Sequence, residues 1–139
     1  MLKIKNNDSI TKWIRRIARI WSVPIIAYAL LLFIGYTINW ITTGKADPYA
    51  SENYPFIENL PPLFMFFAIL GSGLAWKKEK WGSIINLVFC LATLPILLIH
   101  WPMNENFFYI IPYILLAIIA VPGILFLACW WRDQREETN

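Results

Sequence analysis

Residues 81–104 read WGSIINLVFCLATLPILLIHWPMN, 24 positions without a formal charge when His100 is counted as neutral. A helix rising ~1.5 Å per residue crosses a hydrocarbon core of ~30 Å in ~20 residues, so this stretch is long enough to span a bilayer. Three further uncharged runs flank it: Ile20–Gly44 with 25 residues, Asn59–Trp76 with 18 and Asn106–Trp131 with 26. The four runs hold 93 of the 139 residues, which confines the charges to their junctions. A membrane β-barrel would need strands that alternate polar and apolar positions, and Ile25–Ile34 and Leu87–Leu94 do not alternate. The expected fold is therefore all-α and integral to the membrane. It is a single four-transmembrane-helix bundle over residues 1–139, with spans near 20–42, 60–76, 81–101 and 107–131.

Composition points the same way. The chain is 58% hydrophobic and 15% charged, with 8 Trp and 9 Phe. A soluble domain of this size buries too small a share of its area to hide that much apolar surface. The first apolar run is much longer than the ~7–15-residue core of a signal peptide, and no small-x-small site follows it. Cys90 and Cys129 fall at different depths of apolar spans and lack CxxC spacing, so they read as small buried hydrophobes.

Basic residues set the orientation. Eleven of the 12 Lys and Arg lie in the N-terminal arm, in Lys77-Lys78-Glu79-Lys80 and in the C-terminal tail, leaving Lys45 alone on the other side. The positive-inside rule then places both termini in the cytoplasm, as expected for a multi-pass protein of a cell membrane, bacterial inner membrane in type. The basic patches suit anionic lipid headgroups, and nothing in them suggests nucleic acid.

Ser9 is a candidate N-cap for a helix starting at Ile10. Ile10, Trp13, Ile14, Ile17, Ala18 and Trp21 recur at helical spacing, opposite Lys12, Arg15, Arg16 and Arg19. This predicts an N-terminal amphipathic interfacial helix whose basic face meets the headgroups. Pro24 is expected to bend the first span. The segment 42–59 carries Pro48, Pro55 and several aromatic residues, and is expected to form a lid over the outer face.

The third span carries the most informative pattern. Ser83, Asn86, Cys90, Thr93, Leu97 and His100 follow steps of three and four, which confines them to about a 100° arc. A polar face has no hydrogen-bond partners in lipid and should point into the bundle. Candidate matching faces are Tyr28, Gly35, Asn39 and Thr42 on the first span; Ala68, Gly71, Ser72 and Ala75 on the second; and Tyr109, Tyr113, Ala117, Ala120 and Gly123 on the fourth. One reading makes Asn39, Ser83, Asn86, Cys90, Thr93 and Tyr113 hydrogen-bonding staples of a packed bundle. The other makes them the lining of a narrow cavity that binds or passes a small molecule.

A second candidate cluster lies at the outer face, where His100 together with Glu58 and Glu105 could bind a proton or a metal. A single interfacial histidine is more commonly solvated, so neither a metal nor a cofactor is expected, and a bis-histidine haem is excluded by the single His. The spans contain no Asp, Glu, Lys or Arg of the kind ion-coupled carriers use. There is also no phosphate-binding glycine loop, HExxH or nucleophile–base set.

Three stretches carry a resemblance: Trp13–Arg19 (WIRRIAR), Gly73–Gly82 (GLAWKKEKWG) and Pro122–Trp130 (PGILFLACW). They resemble a family of small four-span bacterial membrane proteins known as a domain of unknown function. Its cytoplasmic hinge has Ala-Trp, a basic residue, an aromatic and Glu; Ala75, Trp76, Lys77 and Glu79 match, while Lys78 replaces the aromatic. The resemblance implies the fold and membrane location and brings no activity. It also implies that Glu79 pairs with a cytoplasmic Lys or Arg to fix the hinge. The expected function is that of a non-enzymatic accessory or interaction module, its partners being the bilayer and another membrane protein. The alternative is a small-molecule binder or facilitator using the third span.

Overall fold

A computed structural model describes residues 2–44, 57, 60–100 and 110–137. It contains four helices: α1 (Leu2–Thr43), α2 (Leu60–Leu74), α3 (Glu79–His100) and α4 (Ile111–Glu137). Three of them, α1, α3 and α4, are long and apolar enough to cross a membrane. α2 is apolar but has only 15 residues. It ends at Leu74 where the sequence suggested a span reaching Trp76, because the chain leaves the helix in the Ala75–Lys78 turn. Lys78 N–H still donates to Leu74 C=O at 2.9 Å there.

Consecutive helices run antiparallel, as the cross-helix contacts show. Ser22 meets Trp76 and Phe33 meets Phe66 between α1 and α2. Phe67 meets Phe89 and Gly82 meets Ala75 between α2 and α3. Asn86 reaches Ile119 and Lys80 reaches Trp130 between α3 and α4. α1 closes the ring against α4, with Arg15 on Asp133 and Trp21 on Ile118. The result is an up-down-up-down bundle with the start of α1 and the end of α4 at one end. α2 and α4 also touch across one diagonal, whereas α1 and α3 contact each other little.

α1 departs from expectation in two ways. It passes through Ser9 without a break, so Ser9 is not a cap. It also stays on α4 from Thr11 through Ala29, on both sides of Pro24, instead of leaving the bundle as a separate interfacial helix. The packed stripe is Thr11, Arg15, Ala18, Ser22 and Ala29. Trp13 is 59% exposed and Ile17 50%, so the large apolar residues face outward. Small residues let backbones approach, and they decide which face packs; for large apolar residues a lipid environment would be no worse than a partner helix.

Candidate functional site

Asn86 sits where α2, α3 and α4 meet and is fully buried. Its amide nitrogen donates to Ala68 C=O at 2.8 Å, to Ser72 Oγ at 2.9 Å and to Ile119 C=O at 3.0 Å. Two of these acceptors are main-chain carbonyls that cannot donate, which fixes the orientation of the amide. Ser72 in turn donates to Ala68 C=O at 3.5 Å. Asn86 Oδ1 has no hydrogen-bond partner and lies against Gly123. A Cβ added at Gly123 would stand 2.1 Å from that oxygen, so only glycine lets α4 come this close.

The neighbouring turns are equally tight. A Cβ at Gly71 would lie 2.6 Å from the backbone nitrogen of Asn86, and one at Gly82 would lie 2.2 Å from that of Ala75. Ala68, Gly71, Ser72 and Ala75 are all buried against α3. This close approach brings the Asn86 side chain within reach of the carbonyls of both neighbours.

The other sequence candidates separate into three groups. Ser83, Cys90, Thr93 and Leu97 are buried on the same face as Asn86, but the hydroxyls bond within their own helix: Ser83 Oγ donates to Glu79 C=O at 2.5 Å and Thr93 Oγ1 to Phe89 C=O at 2.7 Å. Tyr113 is half-buried beside the core formed by Ala29, Ala68, Ile69, Cys90, Leu97, Leu116 and Ile119. His100 is exposed at the end of α3, while Glu58, Glu105, Tyr109 and the candidate lid 42–59, apart from 42–44 and 57, lie outside the described residues.

The stripe expected on α1 does not enter the bundle. Tyr28 and Thr42 are exposed, Asn39 is half-buried, and a Cβ at Gly35 would meet nothing within 4 Å. Tyr28 faces outward beside the buried Ala29; for Gly35, Asn39 and Thr42 the cause is length. Trp21 lies level with Ile118, so the first turn of α4 at Ile111 stands opposite the middle of α1 and leaves its outer half beyond reach. Thr37, Thr42 and Thr43 instead bond carbonyls of their own helix, at 2.7, 2.9 and 2.7 Å. On α4, Ala117 faces outward, and Leu116, Ile119, Gly123 and Phe126 form the buried stripe.

A second constellation lies at the end of the bundle that holds the basic residues. Arg15 Nε donates to Glu79 Oε1 at 2.5 Å and Nη2 to Oε2 at 3.1 Å; Nη2 also donates to Asp133 Oδ2. Arg15 was expected on a headgroup-facing surface, but the two carboxylates draw it between α1, α3 and α4. Its guanidinium is held above the ordinary arginine range, chiefly by the hydrogen bonding it donates to the Glu79 carboxylate. Nearby, Trp76 Nε1–H donates to Ser22 Oγ at 2.9 Å, and Ser22 donates to Arg19 C=O at 2.9 Å. Lys80 lies over the rings of Trp81 and Trp130, at 5.6 and 5.0 Å. The expected pairing of Glu79 with a basic residue is present, and its partner is Arg15. The convergence of α1, α3 and α4 on that residue was not foreseen, yet a signal existed: Thr11, Arg15, Ala18, Ser22 and Ala29 recur at helical spacing and share one narrow arc.

A family model matches residues 6–139, a region that includes these hinge and helix-end sequences. The chain belongs to the family described as Domain of unknown function (DUF7670). In this DUF7670 chain the matched region takes in the Asn86 junction, the Arg15 hub and all four helices apart from the first residues of α1. No curated protein and no solved structure matches it.

Proposed function

We propose that this chain is a non-enzymatic membrane protein of four spans, with both termini in the cytoplasm, acting as an accessory or interaction module. The observation that carries the reading is the use of the polar face. Both N–H groups of Asn86 serve α2 and α4, and Ser83 and Thr93 bond their own helix, so the polar groups act as staples. The hub residues Arg15, Glu79 and Asp133 mark the cytoplasmic end, where Lys and Arg concentrate. α2 covers about 22 Å as a helix, less than the ~30 Å core, and spans by local thinning of the bilayer.

Affinity purification of the full chain in mild detergent, with identification of co-purifying membrane proteins, tests the role. The expected result is a stoichiometric membrane partner that is lost when outward-facing α1 residues such as Leu31 are replaced by tryptophan. Recovery of a solitary monomer from every native membrane would overturn it.

A further inference from the structure

Between α1 and α2 the bundle leaves a lateral groove of about 240 Å³, lined by Ile26, Ala29, Leu30, Phe66, Leu70 and Gly73. Its lining is almost wholly apolar. At one end the lining Phe66 stacks on Phe33, ring centroids 5.0 Å apart. At the other end, one turn beyond Gly73 and Ile26, Trp76 bonds Ser22, and the guanidinium of Arg19 rests on Trp76 C=O at 3.5 Å. The groove thus runs from mid-bundle to the rim that carries Arg19, Lys77 and Lys78, all exposed.

The charge balance of that rim selects the occupant. Among the described side chains, the only carboxylates are Glu79 and Asp133, and Arg15 engages both. The rim therefore presents positive charge directly above an apolar slot. The slot is smaller than the ~300–1,000 Å³ of sites that enclose a compact ligand. It extends about 10 Å along the axis, from the level of Phe66 to that of Gly73, and suits a hydrocarbon chain lying alongside the helices.

We propose that this groove seats one acyl chain of an anionic glycerophospholipid, whose phosphate is held by Arg19, Lys77 and Lys78. The assignment rests on the membrane reading above and adds to it a defined lipid and a defined place. Trp76 sits at headgroup level, where indole rings partition, and fixes the mouth through its bond to Ser22.

The test uses the full chain in nanodiscs of phosphatidylcholine with about one fifth phosphatidylglycerol, released into mild detergent for native mass spectrometry. The expected result is one retained phosphatidylglycerol per chain, enriched roughly tenfold over its share of the bilayer. Replacing the three exposed charges together (R19Q, K77Q, K78Q) should keep a retained lipid but abolish the preference. Gly73→Leu should fill the groove and lose retention of both lipids. Gly73→Ala should keep it, since the added methyl meets only Ile26 Cδ1 at 3.7 Å and serves as the folding control. Equal retention of both lipids by the unaltered chain, or a preference that survives the triple substitution, overturns the proposal. A chain stripped from vesicles by alkaline carbonate overturns the membrane reading and this site with it. An integrated chain with no enriched lipid overturns the site alone.

Discussion

Arg15 holds Glu79 through two parallel hydrogen bonds, Nε to Oε1 at 2.5 Å and Nη2 to Oε2 at 3.1 Å, across 64 positions of sequence. The fork joins the middle of α1's first half to the opening residue of α3, and Asp133 adds the last turns of α4 to the same guanidinium. One side chain thereby ties three of the four helices at a single level, and bidentate geometry makes the tie directional.

Removing the guanidinium should cost more than removing one carboxylate charge. Arg15→Leu leaves Glu79 and Asp133 facing each other, and is expected to destabilise by about 2–3 kcal/mol, with Glu79→Gln nearer 1 kcal/mol. Thermal unfolding followed by a thiol-reactive dye reads this directly, because Cys90 and Cys129 are both buried in the folded state. Equal midpoints for the unaltered chain and Arg15→Leu would show that the hub is idle.

The pH dependence of that difference has a definite sign. Arg15 is a cation whose folded pKa is raised, so its contribution is complete below the ordinary arginine value and is lost only as pH climbs through the raised one. The stability gap between the unaltered chain and Arg15→Leu, compared at the same pH, should therefore owe no decline to Arg15 between pH 7 and about pH 10. A gap that closes within this range would mean the pairing is not what Arg15 contributes.

At the Asn86 junction, Gly123→Ala should destabilise by roughly 2 kcal/mol or more, since the new methyl overlaps Asn86 Oδ1. Asn86→Ala should cost about 1 kcal/mol for the lost interhelical bonds. Combining them should cost less than the sum, because the smaller side chain makes room. A double-mutant cycle in detergent decides, and strict additivity would place the two residues apart.

The helices were legible in the sequence because an uncharged run of suitable length has few other solutions. The inward face of α3 was legible too, since Ser83, Asn86, Cys90 and Thr93 are polar or small and must avoid lipid. The packed face of α1 was not. Ile10, Trp13 and Ile17 gave the stronger periodic signal, but in a bilayer large apolar residues need no partner, and the quieter series Thr11, Ala18 and Ser22 marks the contact. The stripe at Tyr28, Gly35 and Thr42 misled for another reason: Tyr28 points away beside the buried Ala29, and Gly35 and Thr42 lie beyond the first turn of α4, a fact about relative helix register that no single helix encodes.

Orientation can be checked in a background lacking Cys90 and Cys129. Cysteines introduced at Ser51 and Asn104 should react with an impermeant thiol reagent in intact cells, while one at Lys78 should react only after lysis. Labelling at Lys78 alone would invert the arrangement that the basic residues suggest.

The shortness of α2 makes the proposed fourth span directly testable. A helix of 15 residues is about 22 Å long, and could lie in the membrane as a span or rest within the bundle outside the core. Its neighbours favour the span. Ala68, Gly71 and Ser72 lock onto α3 at Asn86, well within the 22-residue helix Glu79–His100 that is long enough to cross. A partner locked at that depth has to share the same environment. Leu70 is the discriminating position, because it is 50% exposed and lines the groove beside α1. If α2 spans, Leu70→Arg places a charge in hydrocarbon and should cost roughly 1–3 kcal/mol, lowering both membrane yield and the unfolding midpoint. If α2 lies in water, the same substitution puts an arginine on a wet surface and should change stability by less than about 0.5 kcal/mol. Leu70→Met in parallel controls for simple loss of shape. A neutral Leu70→Arg would reduce the protein to three spans and move one terminus to the far side, in conflict with the basic residues at both ends.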